Sequence, residues 1–348
     1  MDERACYFTV RKYVLILLLL TAGLSLSLAP APKPIVIKLA TLAPIGSPWH
    51  DVLLDLIQDW EKISNNRIKV KVYPGGVAGD ERDLIVKMRL DHLQAAAMTG
   101  TGMSEIDKGI WALSLPLMLE DYNQLDWLRD QIDEELTRRI EAGGFIVLAW
   151  IDVGWVYWFS REPVRTPADL KKQRIFTWSG GPNVEGLWRS GGFHSVSIAA
   201  TDVLPALQTG LIDALGTSPL TAATFQWFAL AKNMNPVKWS VMTGALIITK
   251  TAWERIPAEL RPKLLAAAHR HQERMQNEIR HLDDKAIRVM QEHGLQVVSI
   301  TEDERRQWHE WMELHEYKLR GLLTDTTMFD RVMQLRKEMP PPVATPSQ

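Results

Sequence analysis

Cysteine is all but missing. The 348 residues hold one, Cys6, so no disulfide can staple the chain to itself and no cysteine-based metal site is available. Positive charge is not in excess either: 40 Lys and Arg stand against 42 Asp and Glu. Nothing is left over to neutralise a phosphate backbone, which argues against nucleic acid as a partner. Gly-x-x-x-x-Gly-Lys, Gly-x-Gly-x-x-Gly and Gly-x-Ser-x-Gly are absent, so neither a phosphate loop, a dinucleotide fold nor a nucleophile elbow is signalled. Histidine pairs fail as metal ligands, because His269 and His271, or His309 and His315, fall on different sides of a helix. These gaps leave no enzyme class supported, and neither a metal nor a cofactor is expected. Tyr and Phe are few, at 6 and 8, whereas Trp reaches 14 copies. Rings that large, each with one N–H donor, need specific places.

Long hydrophobic runs are confined to the start. Arg4, Arg11 and Lys12 precede a charge-free stretch from Tyr13 to Pro32 that contains Leu15 to Leu20. Small residues at Ser27, Ala29 and Ala31 follow, the pattern of an export signal over 1–31 cleaved after Ala29 or Ala31. A retained anchor is the alternative, although Gly23, Ser25, Ser27 and Pro30 suit it poorly. No cysteine follows the run to carry a lipid, so the mature protein is expected to be soluble outside the cytoplasm.

Past Pro34 strand and helix patterns alternate. Ile35 to Ala40 is a continuous apolar run, as a strand buried on both faces would be. Ser47-Pro48 opens a helix with Trp49, Val52, Leu53, Leu56 and Trp60 on one face. A second strand from Arg67 to Tyr73 ends in Pro74-Gly75-Gly76, and a helix from Asp80 leads to a third strand over Leu93 to Met98. Three such units predict an open parallel sheet. A helix over 121–142 precedes two very apolar strands, 145–151 and 155–159, and a second α/β unit begins at Thr166 with strands at 174–178, 195–198 and 211–215. Two lobes are therefore expected: 33–150 with 241–280, and 151–240 with 281–338, followed by a disordered tail over 339–348. Residues 257–294 read as one helix of ~50 Å, long enough to lie across both lobes.

Charges inside apolar strands are the informative polar residues, since an unpaired buried charge costs several kcal/mol. Arg174 heads Ile175-Phe176-Thr177-Trp178, where a guanidinium could grip a carboxylate at the inter-lobe cleft. The alternative is a salt bridge to a neighbouring carboxylate at the strand edge. Asp152 interrupts the most apolar region and is read either as a ligand contact or as a turn between two strands. Trp150, Trp155, Trp158 and Trp178 fall on segments that join or flank the lobes, while Trp60, Trp111, Trp127, Trp308 and Trp311 read as scattered structural rings. Ligand sites prefer domain interfaces with apolar walls, so part of the first group is expected to line the cleft.

Tyr73-Pro74-Gly75-Gly76 with Gly79-Asp80-Glu81, Thr166-Pro167-Ala168-Asp169-Leu170-Lys171 leading into Lys172-Gln173-Arg174-Ile175, Ala206-Leu207-Gln208-Thr209-Gly210-Leu211-Ile212-Asp213-Ala214 and Trp253-Glu254-Arg255-Ile256-Pro257 occur in that order. Over 35–338 the chain resembles the DctP-type substrate-binding proteins of tripartite ATP-independent periplasmic (TRAP) transporters. The resemblance implies an α/β, two-lobed periplasmic binding protein fold with hinge strands and a long helix spanning both lobes, and no catalysis. It also implies a carboxylate-gripping arginine at Arg174. Where such proteins often carry a second arginine and an asparagine, this chain has Val156 and Thr217.

The expected activity is thus that of an exported receptor that closes on an organic acid, a monocarboxylate of apolar or aromatic character, and delivers it to TRAP membrane permease subunits. Contacts are expected from Trp49, His50 and Thr99 in one lobe and from Arg174, Trp178, Trp155, Thr217 and Asp152 in or beside the other. A monomer is expected. A ligand-sensing receptor for signalling and an exported hydrolase working in a Trp-lined cleft are the alternatives.

Overall fold

The computed structural model describes residues 33–178 and 184–343; the export signal expected over 1–31 lies outside them. Strand β1 (Ile35–Thr41) buries Ile37, Leu39 and Ala40, and Ser47 then caps α1 (Pro48–Ile63), its side chain accepting from the His50 amide. Parallel to β1 on one side runs β2 (Ile68–Tyr73), paired from Ile35↔Ile68 to Ala40↔Tyr73. Asp80 and Asp83 form a capping box at the start of α2 (Glu81–Arg89), which returns the chain to β3 (Ala95–Thr99), parallel to β1 on its other side.

After α3 (Tyr122–Ala142) comes β4 (Phe145–Ser160), one strand of 16 residues where two were expected. Residue 152 is not a turn. Gly154, at φ +125°, and register shifts at Val147/Ala149 and Asp152/Gly154 bend the strand without ending it. The second half then builds β5 (Arg174–Trp178), α4 (Val184–Ser190), β6 (His194–Ile198), α5 (Val203–Thr209), β7 (Ala214–Thr217) and α6 (Pro219–Thr224). Two-residue β8 (Asn233–Met234) precedes β9 (Ser240–Thr249), which crosses back.

The strands follow the order β2-β1-β3-β9-β4-β7-β5-β6 in one path. Strand β4 carries the path from one half to the other, pairing with β9 over Phe145–Val156 and with β7 over Tyr157–Ser160. Helix α7 (Arg261–Glu292) is 32 residues long, and Gly294, just past its His293 cap, has a φ of +99° that suits a chain leaving a helix. It packs against β4, α1 and α6, touching elements of both halves.

The C-terminal part is built of short elements. Strand β10 (Gln296–Val297) is only two residues long. Helix α8 (Glu302–His315) follows, and the chain kinks at Gly321 before α9 (Thr326–Leu335). Of the tail expected to be disordered over 339–348, residues 344–348 lie outside the described residues; within 339–343, Pro340 accepts a bond from the Gln124 side chain at 3.0 Å and the Val343 amide donates to Asp121 at 2.7 Å. Those two bonds tie the chain to the first turn of α3.

Candidate ligand cleft

The cleft opens where the carboxyl ends of β1, β3 and β5 meet the crossing strands β4 and β9, the usual place for a ligand in an open α/β sheet. It has two compartments. The larger, a cavity of about 150 Å³, is walled by Trp111, Trp158, Phe176, Trp178, Trp188 and Trp239, with Thr99, Thr101, Thr177, Ser240 and Thr243 as its main polar lining. The smaller, about 90 Å³, is walled by Trp49, Trp178, Phe225, Trp227 and Met242. Thr99, Trp178 and Met242 face both. Among the described residues lining either compartment there is no Lys, Arg or His.

Strand alternation sets the wall. On β5, residues 174, 176 and 178 share a face, and Phe176 and Trp178 meet with ring centroids 5.4 Å apart. On β4, Val156 and Trp158 face the same way, and Trp158 lies opposite Gly216. A Cβ at Gly216 would stand 3.2 Å from Val156 and 3.6 Å from the Trp158 ring, so any larger side chain there would crowd the wall. Behind Trp158 the rings continue. Trp188 meets Trp158 edge-on at 5.4 Å, Trp311 of α8 stacks on Trp188 at an interplanar angle of 9°, and Trp239 contacts Trp308 at 5.7 Å. Trp308 and Trp311, read from the sequence as scattered, therefore join one body of rings, and Trp111, placed in the same structural group, lines the cleft. Face and edge contacts of this kind stabilise beyond the area they bury.

The carboxylates near the cleft are engaged. Glu81 is 1% exposed, with Oε1 accepting from the Thr99 amide at 2.7 Å and Oε2 from the Thr99 hydroxyl at 2.7 Å and the Gly102 amide at 2.8 Å. Burial pushes its carboxyl up to about 7 against the pull of those donors. Asp152, fully buried on β4, pairs with Arg129 of α3 and with Arg280 of α7 at 2.9 Å. Asp283 of α7 accepts from the amides of Leu220 and Trp155, at 3.1 and 3.3 Å, and burial likewise pushes it up to about 7.

Of the residues expected in the site, Thr99, Trp178 and Trp49 line it, although the Thr99 hydroxyl is committed to Glu81 and the Trp49 indole sits 3.5 Å from the Asp152 carbonyl oxygen. The others lie elsewhere. Arg174 was placed at the cleft, but it stands at the opposite end of β5, half exposed, with Nε 2.6 Å and one terminal nitrogen 2.8 Å from Asp213. That is the strand-edge salt bridge, and it holds Asp213 below the usual carboxylate range. Trp155 packs on Tyr122 at 5.5 Å beneath the Lys238 ammonium. His50 and Thr217 are buried and line neither compartment, Thr217 because its neighbour Gly216 takes the facing position. Asp152 is held by its two arginines rather than facing a ligand. Alternation from Trp178 would have found Phe176. Trp188 and Trp239 enter through tertiary packing.

Two halves of one sheet, joined by a shared strand and strapped by a long helix over a cleft at the strand ends, define a two-lobed solute receptor. The chain belongs to the bacterial extracellular solute-binding proteins of family 7, the DctP-type TRAP receptors, whose family model matches residues 39–317. These are binding proteins, not enzymes. It is 24% identical to the C4-dicarboxylate-binding periplasmic protein DctP of Rhodobacter capsulatus over 72% of this chain and 76% of that one. It is 23% identical to the 2,3-diketo-L-gulonate-binding periplasmic protein YiaO of Escherichia coli over 70% and 74%. In fold it matches the sugar acid binding protein of Advenella mimigardefordensis in complex with galactonate, with a TM-score of 0.82, 16% identity, and 88% and 99% of the two chains covered. It also matches a TRAP periplasmic solute binding protein of Desulfovibrio salexigens with bound orotic acid, with a TM-score of 0.79, 16% identity, and 88% and 98% covered. Among the described residues, no helix is long and apolar enough to cross a membrane.

Proposed function

We propose that this chain is the exported solute receptor of a TRAP-type transporter, and that it holds an organic acid with a largely apolar or aromatic body and hands it to the membrane permease. Family membership and the acid ligands named for relatives support the transport role. The ring-lined wall of the larger compartment carries the ligand reading, because flat apolar surfaces around a small cavity favour a flat apolar guest over a polyhydroxylated one. Binding contacts are assigned to Trp158, Trp178, Trp188 and Trp239, with Thr99 and Trp49 at the smaller compartment. Arg174, Trp155, Thr217, His50 and Asp152 are assigned supporting places in the fold.

Protein freshly purified from its own exported fraction, analysed intact under native conditions and after solvent extraction, tests this. The expected result is a retained solute with an aromatic or extended apolar body, recovered unchanged, on a chain whose N-terminus begins after Ala29 or Ala31. Chemical conversion of that solute by the protein would remove the receptor reading. Tight binding of succinate or galactonate with none of an aromatic acid would keep the receptor and discard the ligand class.

A further inference from the structure

Three indole N–H groups, those of Trp111, Trp158 and Trp178, are buried with no hydrogen-bond partner among the described residues, and so is the Thr243 hydroxyl. All four side chains line the same compartment. Trp158 and Thr243 are 3% and 2% exposed, so solvent does not satisfy them either. A buried donor left unpaired is costly, and four on one cavity call for acceptors from the guest. The rest of the lining adds hydroxyls and no cation, and residues 179–183, outside the described residues, read Ser-Gly-Gly-Pro-Asn with no cation among them. In the adjoining compartment the titratable residue is Glu81, whose oxygens are already taken by the Thr99 and Gly102 donors, so it offers nothing to grip a carboxylate.

Resting on the receptor reading above, we infer that the ligand's oxygen end is received by neutral donors, the indole N–H groups of Trp158 and Trp178 and the hydroxyl of Thr243, so that recognition requires a carbonyl oxygen on an aromatic body but not a negative charge. An indole N–H donates one bond and carries no net charge; a carboxylate accepts it more strongly than a carboxamide or ketone does but costs more to desolvate, and with no cation beside it the two effects offset. A guanidinium would instead favour the carboxylate through charge assistance and a bidentate fit. The structure thus assigns this cleft to aromatic carbonyl compounds, with the acid and its neutral amide as near-equivalent guests. Trp158 and Trp178 determine that specificity, and Thr243 supports them.

Calorimetric titration of the full-length mature protein with matched pairs tests it: 3-phenylpropionate with 3-phenylpropionamide, and indole-3-acetate with indole-3-acetamide. Acid and amide of a pair are expected to bind within about threefold of each other, a gap well under the tenfold that 1.4 kcal/mol represents. Acid affinity is expected to change less than about twofold between 50 and 500 mM salt. In Trp158→Phe, which keeps a ring and removes the N–H, both members should weaken by about fivefold or more, while propylbenzene, which offers no acceptor, should be unaffected. Trp178→Phe repeats the measurement on β5 should Trp158→Phe fail to fold. An acid bound more than about thirtyfold tighter than its amide, with affinity falling steeply in salt, would overturn the inference while leaving the receptor intact. Binding of neither member of either pair, or equal weakening of propylbenzene in both variants, would also overturn it. Failure of the receptor reading shows separately, as the absence of any retained solute in the extracted protein.

Discussion

Arg174 shows how one residue's chemistry is settled by its neighbour. A guanidinium in an apolar strand is equally suited to a ligand carboxylate and to a partner in the fold, and Asp213, close in space but 39 residues away in sequence, takes it with two parallel bonds. The pair is exposed enough for solvent to screen it, so its removal disturbs the surface more than the cleft. Arg174→Ala is therefore expected to bind any ligand within about twofold of wild type, measured by calorimetry. A loss of tenfold or more would return the anchor role to this residue. Phe176, two positions along and on the same face, takes the place at the cavity wall.

Among the elements, β4 and α7 matter most, because both belong to the two halves at once. Gly154 lets β4 bend at a φ that side chains rarely adopt, and a Cβ there would run into the Asp283 carboxyl. Asp283 in turn holds the Trp155 amide of β4 and the Leu220 amide at the start of α6, so the long helix is fastened to the hinge strand and to the second half by one side chain. Burial raises both Asp283 and Glu81 to about 7. A carboxyl whose pKa is higher folded than unfolded favours folding when protonated, so its contribution is complete below about pH 4 and is lost as the pH rises through 7. Between pH 5 and 8 urea denaturation should show stability falling with pH by roughly 2–3 kcal/mol for each of the two groups. Asp283→Asn should flatten that slope, with the remainder left to Glu81. A slope that rises over this range would contradict the assignment.

At the scale of the whole molecule, the two halves touch across the mouth of the cleft through Asp80. Its Oδ1 accepts from the Glu81 amide within the first half, and its Oδ2 accepts from the Ala200 amide of the second half at 3.2 Å. Nearby, a Cβ at Gly76 would stand 2.8 Å from the Thr201 methyl group, so the glycine loop and the 199–202 segment are in close apposition. A receptor closes only as far as the closed form is favoured, and each contact across the mouth contributes to that preference. Asp80→Ser keeps a helix-capping oxygen and gives up the second one. It is expected to raise Kd about three- to tenfold through faster release, with the association rate unchanged, as read by stopped-flow tryptophan fluorescence. An equal change in both rates would show that this contact acts on entry rather than on closure.

The sequence by itself determined the elements and the class. Caps at Ser47, Asp80 and Thr166, apolar runs in the strands and the long helical period after Pro257 act over a few residues, so local reading reaches them, and the ordered blocks around them carry the family. It also placed Thr99, Trp49 and Trp178 near strand ends that meet the cleft. Only the tertiary structure decided which charges are spent inside the fold and which rings face the cavity. Asp152 looked like a turn residue because its partners Arg129 and Arg280 stand 23 and 128 positions away. Trp308 and Trp311 looked scattered because their partners Trp239 and Trp188 lie far back along the chain, and α8 reaches them only once the second half has folded. Hydrogen bonds and ring contacts across such separations depend on the path of the whole chain, whereas helix caps and strand alternation depend on the nearest turn. The scarcity of cysteine and of surplus positive charge is legible in composition, but the absence of Lys, Arg and His among the described residues lining the cleft is a fact of placement.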